Sequence, residues 1–156
     1  MALQIGEKAP EFTLLNTDKQ EVSLSSYQGK NVVILFFPLA FTGVCTTELC
    51  EMRDNIATYS NLNAEVVAIS VDSPFTLEKF KAEQSLPFPL LSDFNKTAAA
   101  AYDSLYEDFV LGLKGVAKRS AFVVDAEGVI QYAEVLKNAG NVPNFDAVKA
   151  ALATLN

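Results

Sequence analysis

With 156 residues, half of them hydrophobic, the chain suits one domain, spanning 1–156, with a core large enough to fold without staples. Twelve Lys and Arg stand against 19 Asp and Glu, a net charge of −7 with no basic cluster, which excludes the footprint that nucleic acid or an anionic membrane surface requires. Histidine is absent and there are two cysteines, so Ser-His and Cys-His dyads, His-ligated metals and four-cysteine zinc sites are excluded, no metal or cofactor is expected, and any catalysis must run on thiol, carboxylate, lysine, arginine or hydroxyl chemistry.

In chain order, Phe12-Thr13-Leu14-Leu15 and Val22-Ser23-Leu24 flank a polar turn and predict a hairpin. Asn31 to Phe37 contains the most apolar run, Val32-Val33-Ile34-Leu35-Phe36-Phe37; it is short, β-branched and stopped by Pro38, and predicts a buried strand. A helix follows to about Tyr59, with Cys45, Leu49, Met52, Ile56 and Tyr59 on one stripe and Thr42 as its N-cap. Ala64 to Val71 predicts a second buried strand, and Pro74 opens a helix to about Gln84. Phe88 to Leu91 predicts a short strand at an end or an edge, and Asn95 to Tyr102 an alanine-rich helix. Residues 103–118 are irregular, and read equally as a loop folded on its own domain or as a pocket wall or subunit interface. Ser120 to Val124 and Val129 to Ala133 predict a hairpin, and Asn144 to Leu155 a closing helix. Early alternation with a late hairpin predicts an α/β mixed sheet with helices on both faces. Met1 to Lys8 lacks the long apolar core of a signal peptide, and no apolar run approaches the length of a membrane span, so a cytoplasmic location is expected.

Both cysteines lie in Pro38 to Cys50. A cysteine in a helix's first turn faces unpaired backbone N–H groups and the positive end of the dipole, which favour thiolate over thiol. From position alone Cys45 is equally a buried small hydrophobe or a nucleophile. Pro38, Thr42 and Cys45 form P-x-x-x-T-x-x-C, in which proline fixes the loop and the threonine hydroxyl can bond a thiolate or a bound oxygen.

Phe36-Phe37-Pro38-Leu39-Ala40-Phe41-Thr42-Gly43-Val44-Cys45 closely resembles the active-site loop of the peroxiredoxins. Lys118-Arg119-Ser120-Ala121-Phe122-Val123-Val124-Asp125 is similar to the second signature of that family, and Gly6 to Phe12 and Phe88 to Asp93 resemble it too. The resemblance implies a thioredoxin-like fold and a thiol peroxidase reducing hydrogen peroxide and organic hydroperoxides. Cys45 matches the peroxidatic cysteine, whose thiolate attacks the O–O bond and becomes a sulfenic acid. Thr42 and Arg119 match the residues that hold the peroxide and stabilise charge, and Pro38 the proline that shields the sulfur.

The loop before Cys45 resembles the AhpE-type group, whereas the C-x4-C spacing to Cys50 resembles the PrxQ group, in which the second cysteine resolves the sulfenic acid as an intramolecular disulfide. Cys50 is therefore either the resolving cysteine or an incidental exposed one. Glu48 reads either as a partner of the active-site loop or Arg119, or as a solvated carboxylate. The implied partners are a peroxide, thioredoxin or a glutaredoxin-like reductant, and a second copy of the chain with Phe41 at the contact. Two other functions fit the same thiol: a peroxide sensor or holdase, and a thioredoxin-like disulfide carrier, although the carriers' usual C-x-x-C is absent.

Overall fold

The computed structural model describes residues 3–155. Among them the β-branched and aromatic runs form seven strands: β1 (Thr13–Leu15), β2 (Glu21–Ser23), β3 (Asn31–Phe36), β4 (Ala64–Ser70), β5 (Leu90–Ser92), β6 (Ser120–Val124) and β7 (Ile130–Val135). They form one sheet in the order β2-β1-β5-β4-β3-β6-β7. β3, β4 and β5 run parallel, as crossover helices require, and β6 lies antiparallel to β3 with Ser120 opposite Phe36. The expected N-terminal hairpin pairs Leu14 with Val22. Its β1 also pairs with β5, so β5 lies inside the sheet, and Pro89 stands just before the ladder, where it needs no N–H.

Among the described residues five α-helices connect and cover the strands: α1 (Gly43–Asp54), α2 (Ile56–Asn61), α3 (Pro74–Gln84), α4 (Thr97–Ala101) and α5 (Phe145–Ala153). Period-two alternation splits β3 between two cores. Val33 and Leu35 pack with Leu49 and Met52 of α1, Phe80 of α3 and Val148 of α5. Val32, Ile34 and Phe36 face Ala98 and Ala99 of α4 and Tyr102. Each fully buried side chain of this size contributes roughly 1.5–3 kcal/mol. The expected mixed sheet with helices on both faces is thus observed.

The helix expected to run unbroken to Tyr59 is two helices. Asn55, at φ −111° and ψ 12°, turns its side-chain amide onto the Glu51 carbonyl at 2.9 Å and shares its backbone N–H between the Glu51 and Met52 carbonyls, each at 3.2 Å. An asparagine that competes for backbone partners breaks a helix that apolar periodicity alone would continue. Tyr59 is nevertheless buried, and Ile56 packs against the same core.

Candidate active site

β3 delivers the chain into a tight turn. Pro38, two residues past the end of β3, is buried. Ala40 donates its backbone N–H to Asp72 Oδ2 at 2.8 Å, and that oxygen also accepts the Ser70 hydroxyl at 2.6 Å. Asp72, at the end of β4, therefore anchors the turn to the neighbouring strand. Phe41 is held at φ 66°, a left-handed conformation that a bulky residue adopts only under outside constraint. Its ring packs edge-on against Phe80, with centroids 5.1 Å apart.

Thr42 occupies the N-cap of α1 with extended backbone angles, but its hydroxyl does not cap the helix. It donates to the Leu39 carbonyl at 2.8 Å, while the Thr42 carbonyl accepts from the Thr46 N–H and hydroxyl. This corrects the expected capping bond. The N–H groups of the first turn then remain directed at the site, and the threonine oxygen keeps its lone pairs for a bound group.

Cys45 is the third residue of α1 and is 1 % exposed. Glu48, one turn later on the same face, is fully buried. Between them lies Arg119, one residue before β6. Because β6 runs antiparallel to β3, the residue that enters β6 stands beside the chain that leaves β3. Arg119 donates from Nη2 to Cys45 Sγ at 3.1 Å, from Nη1 to Glu48 Oε1 at 3.0 Å and from Nε to the Ala139 carbonyl at 3.0 Å. Cys45 and Arg119 are 74 residues apart in sequence.

The arginine is set from behind. The Ser120 hydroxyl bonds the Ser104 hydroxyl at 3.2 Å, and the Lys118 N–H donates to the Ser104 carbonyl at 2.6 Å. Burial works against the Arg119 charge, but Glu48 and Cys45 outweigh it and raise its pKa. Burial pushes Glu48 up from 4.5 to about 7 even against the pull of Arg119, with a smaller contribution from Glu51. Among the described residues, Glu48 Oε2 is buried with no hydrogen-bond partner. The sequence left Glu48 open between two readings, and the fold places it in the site.

A cavity of about 520 Å³ reaches the cluster at Arg119 and is lined also by Thr42, Val44, Tyr106, Phe109 and Val110 among others. Part of the 103–118 segment is therefore a pocket wall. The Tyr106 and Phe109 rings stack at 5.4 Å, and the Tyr106 hydroxyl donates to the Leu136 carbonyl at 3.2 Å. Cys50 stands apart from the cluster. It is half-buried on α1, with its thiol on Gln84 Oε1 at 3.4 Å, and both cysteines are free. Arg53 donates from Nη1 to the Gln84 carbonyl at 2.6 Å, so Cys50 and Arg53 both dock α1 on the end of α3. The sequence held no sign of the anchoring role of Asp72, because Asp-Ser-Pro reads locally as a strand end and a helix start.

The arrangement presents a buried sulfur at a helix N-terminus with a fixed guanidinium donor, and a cavity that reaches that donor. That is what a thiolate nucleophile requires when charge must leave on oxygen. Residues 5–133 match the AhpC/TSA family. Alkyl hydroperoxide reductase E of Mycobacterium tuberculosis (strain ATCC 25618 / H37Rv) is 40% identical over 156 residues, covering 98% of each chain. Peroxiredoxin Bcp of Bacillus subtilis (strain 168) is 37% identical over 157 residues, covering 99% of this chain and 96% of the other. Among solved structures, peroxidoxin BcpB from Mycobacterium tuberculosis superposes with a TM-score of 0.87 at 27% identity, covering 99% of both chains.

Proposed function

Because the chain belongs to the AhpC/TSA family of thiol-dependent peroxidases, we propose that Cys45 is its peroxidatic cysteine, with Arg119, Thr42 and Pro38 completing the site of a single thioredoxin-like domain. The protein is an enzyme, and its family acts on peroxides with thioredoxin-type reductants. The observation that carries the assignment of roles is the 3.1 Å bond from Arg119 Nη2 to Cys45 Sγ at the start of α1. Arg119 and the helix N-terminus stabilise the thiolate. The thiolate attacks the nearer peroxide oxygen, the O–O bond breaks, and the sulfur becomes a sulfenic acid as an alcohol or water leaves. Arg119 and the Thr42 hydroxyl hold the two oxygens as charge passes to the outer one. Substrates are hydrogen peroxide and organic hydroperoxides.

Stopped-flow oxidation of Cys45 with sulfenic-acid trapping, run beside thioredoxin-coupled turnover, tests this. Fast oxidation with turnover is expected. Slow oxidation without turnover but with altered partner binding would instead mark a sensor or holdase, and reduction of insulin disulfides a disulfide carrier. Among the described residues no helix is long and apolar enough to cross a membrane, and the proposed location is the cytoplasm.

Cys50 is proposed as the resolving cysteine, recycled by thioredoxin or a glutaredoxin-like reductant. Cys50→Ser is expected to keep the first oxidation at its wild-type rate and to lose thioredoxin-linked turnover. Turnover surviving in that variant assigns resolution to an external thiol.

Both cysteines lie on α1. Five residues of helix rise roughly 7.5 Å and turn about 500°, which leaves the Cα atoms roughly 8–9 Å apart with the side chains diverging. A disulfide needs Cα atoms within about 7 Å. The bond therefore requires α1 to unwind from Cys45 past Cys50, releasing Leu49 from the core and Cys50 and Arg53 from Gln84. Thr46 and Thr47, weak helix formers, lower that cost. Backbone hydrogen exchange across Thr42 to Met52 is expected to be faster in the disulfide form than in the dithiol form. Equal protection in the two forms would contradict intramolecular resolution.

A homodimer is also proposed. Phe41, Phe75 and Phe94 are 49%, 66% and 61% exposed, and they sit after the C-terminal ends of β3, β4 and β5, three neighbouring parallel strands. A second copy covering these rings accounts for their exposure and braces the strained turn before Thr42. Sedimentation equilibrium is expected to show dimer at micromolar concentrations, and monomer alone at high concentration would remove this proposal.

A further inference from the structure

Arg119 is one cation bonded to two groups that can each be anionic, Cys45 at Sγ and Glu48 at Oε1. All three side chains are essentially closed to water. With the sulfur as thiolate and the carboxyl ionised, the buried cluster carries one uncompensated negative charge, a costly state away from solvent. A single proton removes it, and while the sulfur stays a thiolate the atom placed to take that proton is on Glu48. Glu48 Oε1 is occupied by Arg119, whereas Oε2 is buried without a partner among the described residues.

We propose that Glu48 carries a proton at Oε2 that offsets the Cys45 thiolate and gives it up as that thiolate is oxidised, so that the buried charge stays constant through peroxide reduction. The step balances. Cys45–S⁻, Glu48–COOH and ROOH become Cys45–SOH, Glu48–COO⁻ and ROH. The S–O bond forms from the sulfur electron pair, the O–O bond breaks, and the leaving alkoxide gains one proton while Glu48 loses one. Arg119 pairs with the thiolate before the step and with the carboxylate after it. Glu48 acts through Arg119 rather than on the peroxide, and is a positioning residue for charge. The inference rests on the reading of Cys45 as the peroxidatic cysteine.

The surroundings support the exchange. Burial holds the Glu48 carboxyl at about 7, against Arg119 and with a smaller push from Glu51 on the same helix. The proton is thus held on a large share of the molecules near neutral pH, and loss of the negative charge on the other side of Arg119 favours its release, because Arg119 is then free to pair with the carboxylate. From the segment before β6, Tyr106 is raised by burial and feels Arg119 and Cys45 in opposite senses. Asp108 and Lys137 line the cavity beside Arg119.

The test compares wild type with Glu48→Gln, which keeps an oxygen acceptor for Arg119. Both are prereduced and mixed with hydrogen peroxide near pH 7 in weak buffer containing a pH indicator, with sulfenic acid quantified in parallel. The variant is expected to take up about one proton from solvent per Cys45 oxidised, and wild type clearly less, the shortfall growing as the pH is lowered below about 7. Infrared difference spectra of the wild type alone should lose a protonated-carboxyl C=O band on oxidation, a band absent from the variant's spectra. The wild-type oxidation rate should also bend downward above about 7, a limb missing in the variant. Sulfenic acid formed with equal proton uptake in both proteins and no carboxyl band lost would overturn the proposal and leave Glu48 an ionised structural partner. Absence of sulfenic acid on Cys45 in both proteins would overturn it together with the reading of Cys45 on which it rests.

Discussion

Cys45→Ser is expected to abolish peroxide reduction, lowering the rate by on the order of 10⁶-fold or more toward the uncatalysed level. The hydroxyl that replaces the thiol does not ionise near neutral pH, so the site loses its nucleophile rather than a supporting contact. The fold should survive. Cys45 is buried beside Leu49 in the core under α1, and Arg119 Nη2 can donate to an oxygen as it does to sulfur. The new polar atom therefore has a partner, and the loss of stability should fall near the low end of the roughly 1–3 kcal/mol expected for an unsatisfied buried group. Peroxide consumption and circular dichroism of the variant separate the two effects. Activity retained in a folded variant would sink the assignment of Cys45.

Arg119→Met combines a large kinetic effect with a pH-dependent structural one. Methionine fills much of the same volume but donates to none of Cys45, Glu48 or Ala139. Loss of a fixed donor to developing charge costs roughly 10²–10³-fold in rate. Loss of the cation also strands Glu48, and breaking a buried ion pair from one side costs about 3–5 kcal/mol when the remaining group stays charged. The sign with pH follows from the raised carboxyl. The folded state holds a proton that the unfolded state loses above about 4.5, so stability falls as pH rises from there toward about 7 in the wild type, and removing Arg119 extends that fall to higher pH. The variant should therefore match wild type most closely below about pH 4.5 and diverge upward, as read from denaturation midpoints across pH. Adding Glu48→Gln should restore stability but not rate. Wild-type oxidation kinetics in Arg119→Met would make Arg119 a structural residue only.

The local parts of this site were legible because they depend on neighbours in sequence. A β-branched run stopped by Pro38, followed by apolar positions at helical spacing, places Cys45 in the first turn of a helix whatever the rest of the chain does. The similarity of the loop and of the segment around Arg119 to a known family joins Cys45 to Arg119 without reference to geometry. Glu48 was not legible in the same way. A carboxylate near the start of a helix is ordinarily solvated, so the sequence position of Glu48 carries no sign of burial, and the fold instead sets it in the second turn of α1 and buries it. Nor did periodicity reveal the break at Asn55, where a side-chain amide shares the Glu51 carbonyl with the backbone N–H.

What the sequence by itself determined is the strand–turn–helix that carries Cys45, the alternation that gives a mixed sheet, and the absence of histidine that removes imidazole chemistry. The tertiary structure alone decided which charge meets that thiol. Arg119 reaches Cys45 across 74 residues because β6 pairs antiparallel with β3, so that the start of one strand stands beside the end of the other. Packing of α1 on the sheet removes water from Glu48, and the parallel pairing of β4 with β3 sets Asp72 under the turn at Ala40. Hydrogen-bond ladders between distant strands fix such encounters, whereas propensity and periodicity act only over a few residues.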